Sequence, residues 1–414
     1  MSLKTDLAVL REPNFGWFFW SRFINIAGSS MSSVALAFAV LEVTDSASAL
    51  GQVLAAHSIP MVVFLLVGGV VADRFPRALL LQLSNVLSAL TQGVAAYLVI
   101  SGHAEIWMLV VLEGVNGTTS AVSMPAMQGL IPQLVRKDQL QPANVLLSMS
   151  RSGLTIAGPS VAAVLVVTVG AGWGLAADAL TWAVAAALLL PVRIPPRTVE
   201  PGPRTSMLHE LRVGWTFFRT TTWLWVVVLA FCFLNAIQVG AMQVLAPPFV
   251  KHEIGVGAWG AANSAQSVGL LLMTFVLLRV TFRFPLRAGM LGIAFFAVPL
   301  LVLALAPHAV PLVVAMAVAG AGTEVFSLGW NLAMMENVPG DMLSRAFSYD
   351  MLGSFVALPL GQLVYGPLGQ WFGTTEVFLV SGVAYVVLCL ATVAVPAVAR
   401  LQRVEQPAAE GAPA

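Results

Sequence analysis

Long stretches without charge are the feature of this sequence that most constrains its fold. Lys, Arg, Asp and Glu make up 9% of the 414 residues, whereas a soluble domain carries about 25%. The apolar runs between these charges are long enough to cross a bilayer, which takes about 20 residues as a helix. Apolar residues contribute 58% of the chain. The pattern excludes an ordinary water-soluble protein and predicts an all-α, polytopic membrane protein.

The apolar runs predict twelve transmembrane helices in two sets of six. The first six lie near residues 15–42, 48–72, 78–101, 106–128, 143–168 and 173–191. The second six lie near residues 222–248, 257–280, 286–306, 309–335, 345–371 and 375–398. We therefore expect an N-terminal six-helix bundle (1–192), a cytoplasmic central loop (193–220), a C-terminal six-helix bundle (221–400) and a short cytoplasmic tail (401–414).

The positions of the basic residues predict the orientation of these spans. With the N-terminus placed inside, every Lys and Arg except Lys251 falls on or near one face. Cytoplasmic loops of membrane proteins carry such an excess of basic residues. Both termini are therefore expected in the cytoplasm, and the chain in the inner membrane of a bacterial-type cell.

Short identities recur between the two predicted halves. Arg74-Phe75-Pro76 returns as Arg283-Phe284-Pro285, and the same offset relates Gly51 to Gly260 and Ser58 to Ser267. In spans five and eleven, Gly153 and Pro159 are matched by Gly353 and Pro359. Two parallel six-helix halves are characteristic of a large class of transporter folds.

Several classes of function find no support in the sequence. The net charge of +1 with scattered basic residues does not favour nucleic-acid binding, which depends on phosphate neutralisation. The five histidines are isolated and both cysteines lie in apolar runs, so we expect no metal, no cofactor and no disulfide. A membrane enzyme would need clustered His and Asp, or a nucleophile beside a base. No such cluster is seen, and the chain is not expected to be an enzyme.

A family resemblance is carried by Gly69-Val-Val-Ala-Asp73-Arg74-Phe75-Pro76-Arg77. The stretch resembles the signature G-x-x-x-D-R-x-G-R-[RK] of the major facilitator superfamily, with Pro76 in place of Gly and Ala78 in place of the second base. The resemblance implies a gating role for Gly69, Asp73, Arg74 and Arg77. Plain loop charge is the alternative interpretation.

Further strings narrow the resemblance to the branch that contains macrolide efflux proteins and the enterobactin exporter, over nearly the whole chain. They include Met124-Pro-Ala-Met-Gln128, Arg151-Ser-Gly153, Asp178-Ala-Leu180 and Ser348-Tyr-Asp350. Gly158-Pro159 is similar to a degraded antiporter motif, G-P-x-x-G-G, with Ala162-Ala163 at its end. This implies close packing of spans five and eight at Gly158 and Pro159; a generic Pro kink is the alternative. Gly153 and the repeat-related Gly353 and Pro359 are further candidates for helix packing. Span four lacks the intramembrane Arg of many proton-coupled exporters.

Ionisable residues at membrane depth are costly and are therefore candidates for function. Glu113 lies about eight residues, or roughly 12 Å, into span four, and Glu324 about fifteen residues into span ten. A carboxylate in a partly dry cavity takes up a proton near neutral pH, so both are candidates for proton coupling. His57 is a third, because His changes charge near neutral pH. A purely structural hydrogen bond is the alternative for each, and Asp178 and Asp350 are interpreted as structural or gating charges.

Polar residues in spans one, four, seven and ten are candidates for a substrate cavity, since in the resembled fold these spans line it. They are Asn25, Asn116, Asn235, Gln238, Met242, Trp330 and Asn331. Hydrogen bonding between helices would give the same pattern.

The sequence thus predicts a monomeric secondary transporter that exports a hydrophobic or amphipathic small molecule, such as a drug, macrolide or siderophore. The resemblance implies alternating access, usually with proton antiport and often with multidrug resistance. A facilitator or uptake carrier of the same fold is the alternative, followed by a non-transporting membrane receptor.

Overall fold

The computed structural model describes residues 8–136, 139–192, 207–280 and 282–403. These residues form helices, with no strand among them. Each predicted span corresponds to a helix, and we keep the span numbers. Spans one to six are Pro13–Val43, Ala47–Arg74, Arg77–Ile100, Ile106–Leu134, Leu140–Val169 and Ala171–Leu189. Spans seven to twelve are Thr222–Glu253, Val256–Leu277, Pro285–Leu305, Ala309–Asn337, Gly340–Phe372 and Thr374–Ala394.

Eleven helices in the described ranges are long and apolar enough to cross a membrane. The span-four helix, Ile106–Leu134, has 29 residues and is outside this set, so its crossing stays a prediction. Large apolar side chains such as Trp107, Trp371 and Leu278 are exposed on the bundle surface. Exposure of so many large apolar side chains to water would be unfavourable, whereas the hydrocarbon of a bilayer is a favourable environment for them.

The connections between helices repeat in the two halves. Spans five and six are joined through Gly170, at φ 99°, and spans eleven and twelve through Gly373, at φ 89°. Both residues have the left-handed backbone that glycine adopts without a steric penalty. The matching turns agree with the internal repeat read from the sequence.

The two halves contact each other through spans two and eleven and through spans five and eight. At each contact a glycine meets the carbonyl of a partner helix. A Cβ on Gly51 would lie 2.0 Å from the Gln362 oxygen, and one on Gly260 would lie 2.8 Å from the Pro159 oxygen and 2.3 Å from the Ala163 Cβ. Small residues allow helix backbones to approach closely in membranes. Gly51 and Gly260 are related by the internal repeat, so the two contacts are equivalent.

Both contacts lie toward the same end of the bundle, which we call the Asp45 end because residues 44–46 connect spans one and two there. The opposite end, where Arg74 closes span two, is called the Arg74 end. About halfway along span five, a Cβ added at Gly153 would meet nothing within 4 Å. The halves are thus packed together at the Asp45 end.

Span seven contains a π-helical segment, Val239–Leu245, between two α-helical parts. Pro247 and Pro248 follow it and have no N–H to donate to the preceding turn, which locally disrupts an α-helix. Gly240 in this segment lies against the ring of Tyr365, where a Cβ would be 2.1 Å from a ring carbon. Such segments are frequent at functional sites, and this one carries Gln243.

The segment predicted as a central loop is partly helical. Met207–Thr220 forms a helix before span seven, and residues 193–206 lie outside the described ranges. The rings of Trp215 and Phe218 pack against Tyr349 of span eleven. The end of the segment is therefore attached to the second half.

Candidate functional site

A cavity of about 480 Å³ lies between the halves. Its wall is formed mainly by spans one, two, three, four and six, and the second half contributes Gln243 and Gln362. Its polar lining includes Arg22, Asn25, His57, Asn85, Gln92, Glu113, Asn116 and Asp178, with six serines. The cavity therefore draws on the first half far more than on the second.

Glu113, in this wall, is hydrogen-bonded through both of its carboxylate oxygens. Its side chain is buried, with the residue 4% exposed. Gln92 donates a hydrogen bond from Nε2 to Glu113 Oε1 at 2.9 Å, and His57 Nδ1 lies 3.1 Å from Glu113 Oε2. Three consecutive spans thus meet at one carboxylate.

Backbone packing explains how His57 reaches Glu113. Spans two and four touch at Gly117, where a Cβ would lie 2.0 Å from the His57 carbonyl oxygen. Without a side chain at that position the helices approach closely, and the imidazole projects past span four to the carboxylate one turn away. The His57 side chain keeps 32% of its surface exposed toward the cavity. One end of the His57–Glu113 pair is buried and the other is accessible.

A second polar pair lies nearer the Arg74 end. Arg22 donates from Nη1 to Asn25 Oδ1 at 2.9 Å, and both side chains line the cavity. The Asn25 Nδ2 is buried without a hydrogen-bond partner in the described part of the chain. Asn25 and Asn116 are the two predicted cavity residues that the structure places in this wall.

Asp178 of span six is buried in the same wall and is 2% exposed. Ser32 and Trp182 hydrogen-bond its side chain, and Glu113 is close enough to repel it. Its Oδ1 has no hydrogen-bond partner among the residues described. It lies beside Gly28, where a Cβ would be only 2.7 Å away.

Four buried polar atoms of the cavity residues lack a partner in the described structure: Asn25 Nδ2, Gln92 Oε1, Asp178 Oδ1 and Gln362 Oε1. Buried polar groups are normally hydrogen-bonded. Ordered water is the simplest partner for such atoms.

Glu324 is placed elsewhere. It accepts a hydrogen bond from Thr274 Oγ1 of span eight at 2.9 Å, and it does not line the cavity described above. The structure therefore brings His57 and Glu113 together and leaves Glu324 apart from them.

The remaining predicted cavity residues lie in the second half, away from the cavity lining. Met242 is buried, while Asn235 and Gln238 are half-buried. Trp330 is buried, stacks on Phe326 and donates from Nε1 to Asp350 Oδ2 at 3.1 Å. Asn331 is exposed and donates to the carbonyl of Ser327 one turn earlier.

The predicted gating residues are only partly described. Gly69 and Asp73 belong to the span-two helix, but their side chains and surroundings lie outside the described part. Arg74 is exposed at the end of that helix, and Arg77 begins span three. Asp350, held by Trp330, links spans ten and eleven within the second half.

The predicted packing residues make several distinct contacts. A Cβ on Gly158 would lie 2.1 Å from Ser30 Oγ of span one, and one on Gly353 would lie 2.4 Å from a Val228 methyl group. Pro159 and Pro359 both lie inside helices. Beside Pro159, Ser160 and Ser264 share a hydrogen bond of 2.8 Å between spans five and eight.

An ionic cluster joins the halves at the Asp45 end. Lys251 Nζ, at the end of span seven, donates to Asp45 Oδ1 at 3.1 Å and to the Leu41 carbonyl at 2.9 Å. His252 Nε2 is bonded to Asp45 Oδ2. The Lys251 hydrogen bond, as the main cause, lowers the pKa of Asp45 below its ordinary value of 3.8. We call Asp45, Lys251 and His252 the latch.

Within the described ranges, no set of three His, Cys, Asp or Glu side chains is arranged to hold a metal ion. Cys232 and Cys389 are both free.

The chain is similar in sequence to known membrane transporters. A family model described as "Transmembrane secretion effector" matches residues 4–411. The chain is 24% identical to an uncharacterized MFS-type transporter, YfiS, of Bacillus subtilis over 86% of this chain and 87% of the relative. It is 21% identical to macrolide efflux protein A of Streptococcus pyogenes over 89% and 92% of the two chains. The match to the enterobactin exporter EntS of Shigella boydii, at 26% identity, covers 51% of each chain.

Solved structures of similar fold are membrane transporters. A point mutant of the nucleoside transporter NupG superposes with a TM-score of 0.76 at 14% identity, covering 92% of this chain and 99% of that one. A bacterial homologue of the lysosomal transporter Spinster, in an inward-facing and unoccupied conformation, gives a TM-score of 0.70 at 16% identity, covering 98% and 100%. At these identities the likeness shows the fold alone, and it confirms the predicted fold class.

Proposed function

Because the chain belongs to the Transmembrane secretion effector family of the major facilitator superfamily, we propose that it exports an amphipathic small molecule by alternating access. Family membership makes it a multi-span membrane transporter and not an enzyme. Its bacterial relatives are consistent with a bacterial inner membrane. The relatives named for export of a macrolide and of enterobactin support the outward direction.

The observation that carries the proposal is the His57–Glu113 pair in the cavity wall. The charged form of a buried carboxylate has a high free energy, and this cost falls when water or a cation enters the site. The halves are in contact at the Asp45 end, and the cavity lining extends to Leu81 and Met127 toward the Arg74 end. With the N-terminus inside, as the basic residues favour, this is an inward-facing state ready to load substrate.

Proton antiport then follows from the bonding of Glu113. In the charged form, both carboxylate oxygens accept hydrogen bonds, one from Gln92 and one from protonated Nδ1 of His57. Protonation of Oε2 removes the acceptor for His57, so the imidazole turns its nitrogen toward the cavity water. We propose that a proton from outside is taken up between these two side chains as substrate leaves to the outside, and is released inside when the next substrate molecule binds. Proton coupling through His57 and Glu113 does not require the intramembrane arginine that span four lacks.

The test is efflux from proteoliposomes loaded with macrolides, fluorescent dyes and siderophores, with and without an imposed proton gradient. We expect gradient-driven export by the wild type and loss of the gradient dependence in Glu113→Gln. Glu324→Gln is the matched variant, because it neutralises a spanning carboxylate that is bonded to Thr274 outside the cavity. We expect it to keep the gradient dependence.

Equal transport in both directions, insensitive to the gradient in every variant, would identify a facilitator instead. Loss of coupling in Glu324→Gln but not in Glu113→Gln would move the proton site to span ten. No transport of any compound by a folded protein would contradict the export proposal.

A further inference from the structure

Resting on the proposed export function, we infer that the substrate carries an anionic group, such as a carboxylate, and that Arg22 of span one binds it. The sequence pattern treated Arg22 only as a charge near the inner face. The structure places its side chain in the cavity wall, nine residues after span one begins at Pro13. At 1.5 Å per residue, this is roughly 14 Å from the start of the helix.

The first argument is the bonding of the guanidinium group. Arg22 donates from Nη1 to Asn25 Oδ1 at 2.9 Å, and this is its one hydrogen bond in the described part of the chain. Its Nε and Nη2 are not among the unbonded atoms that are closed off from solvent, so they stay open to the cavity that Arg22 lines. These two nitrogens form one edge of the planar fork, and their N–H groups match the two oxygens of a carboxylate. Arg22 can therefore hold Asn25 and bind an anion at the same time.

The second argument is charge balance. In the described structure no carboxylate acts on Arg22, and the charge that does act on it is Arg151 of span five, another arginine. Spans one and five are neighbours, so two like charges lie close enough to repel each other. A charge that is partly removed from water without a counter-ion is costly. An anion bound to Arg22 would offset both the desolvation and the repulsion.

The third argument is the distance between Arg22 and the carboxylates of the same wall. Asp178 is hydrogen-bonded by Ser32, which comes ten residues after Arg22 on span one. Ten residues of helix extend about 15 Å, which exceeds the screening length of about 8 Å at physiological ionic strength. Glu113 lies near Asp178 and acts on it. An anion on Arg22 is therefore far from both carboxylates, so it is little repelled by them and does little to hold a proton on Glu113.

The residues that line the cavity at the depth of Arg22 define the rest of the ligand. Asn85 lies eight residues after span three begins, or roughly 12 Å along it, and its buried side chain lines the cavity. It adds a polar amide at this depth. Leu81, Met124 and Met127 line the cavity toward the same end, and Met side chains adapt to ligands of irregular shape. The inferred substrate is an amphiphile with a carboxylate beside an apolar group.

The test compares two probes that differ in one charge. Dansyl-phenylalanine carries a carboxylate, and dansyl-phenylalaninamide has the same rings without the charge. Both are titrated into purified protein in nanodiscs of zwitterionic lipid, with empty nanodiscs subtracted. We expect the wild type to bind the carboxylate probe about tenfold or more tightly than the amide probe, as a charge-assisted hydrogen bond implies.

Arg22→Gln should lower the affinity for the carboxylate probe to that of the amide probe. Arg279→Gln is the matched control, because it removes the same charge from an exposed position just after span eight, and it should keep the preference. Should Arg22→Gln give no folded protein, Arg22→Lys is used. Lysine cannot donate two parallel N–H bonds to one carboxylate, so it must weaken only the carboxylate probe.

The same titrations in nanodiscs that contain phosphatidylglycerol separate a substrate site from a lipid site. We expect the wild type to keep its advantage over Arg22→Gln there, because the charge of the lipid surface acts on both proteins alike. Loss of that advantage would mean that Arg22 binds a lipid phosphate, and it would overturn the inference. A wild type without preference, or a preference that survives Arg22→Gln, would also overturn it. Binding is measured without a gradient, so a failure of gradient-driven export leaves these results decisive.

Discussion

Lys251 of the second half donates from Nζ to Asp45 Oδ1 of the first half across 3.1 Å. The same ammonium group donates to the Leu41 carbonyl at 2.9 Å. Lys251 is also the one basic residue that the orientation pattern leaves on the outer face. Its position is explained by its partner, because a cation there joins the two halves where span one ends.

Replacing Lys251 should loosen the Asp45 end. In Lys251→Met the aliphatic stem remains, but Asp45 loses the main group that stabilises its charge, so we expect a larger population open at this end. The measurement is the distance between spin labels on His103→Cys and Ala306→Cys, in exposed loops of the two halves, with Cys232 and Cys389 replaced. Glu253→Gln, two residues away, is the control and should leave the distance unchanged. An unaltered distance in Lys251→Met would refute a latch role.

The latch should also weaken in acid. Because the pKa of Asp45 is lowered in the closed state, its contribution to closure is complete above its ordinary value of 3.8. The contribution is lost as pH falls through the lowered pKa. The effect is a partial shift, since the Asp45 side chain is half exposed and solvent screens it. The same label distance is followed from neutral pH to pH 3 in a His252→Gln background, which removes the imidazole partner of Asp45. In Asp45→Asn in that background, the label distance should not change with pH.

Sequence reasoning found Glu113 and His57 separately, each as an ionisable group at membrane depth. It could not join them, because they are 56 positions apart on different helices, and their contact depends on Gly117 allowing two backbones to touch. It missed Gln92, since a single amide in an apolar run carries no signal of its partner. Arg22 was counted only as a charge of the inner face, although it lines the cavity.

The internal repeat relates the two inter-half contacts more closely than it relates the two spanning carboxylates. Gly51 and Gly260 meet carbonyls of the opposite half in the same way, as equivalent positions should. Glu113 and Glu324 are on equivalent spans, but at different depths, and one faces the cavity while the other bonds Thr274. Helix count and pairing follow from hydrophobic runs and small residues, whereas the rotation of a helix about its axis is set by packing that the runs do not encode.

Gly260 should be required for closure of the Asp45 end. A side chain there would overlap Ala163 and the Pro159 carbonyl, so Gly260→Val should separate spans five and eight and lengthen the label distance across that end. Gly257→Val is the matched control, because it is one turn earlier on the same helix and a Cβ there meets nothing within 4 Å. If both variants give the wild-type distance, the close contact at Gly260 is not what holds the halves together.

Gln92 should stabilise the fold through Glu113. In Gln92→Leu, the buried Glu113 Oε1 loses a donor at 2.9 Å, and a hydrogen bond to a charged group contributes roughly 1.5 to 3 kcal/mol. We expect a lower thermal unfolding temperature in detergent and a larger loss when Glu113 is charged than when it is protonated. Gln82→Leu, on the same helix, removes an amide whose Oε1 has no partner in the described structure, and it should cost less. Equal losses in the two variants would mean that Glu113 does not depend on Gln92, and the proton would then be held by His57 and Glu113 without a third group.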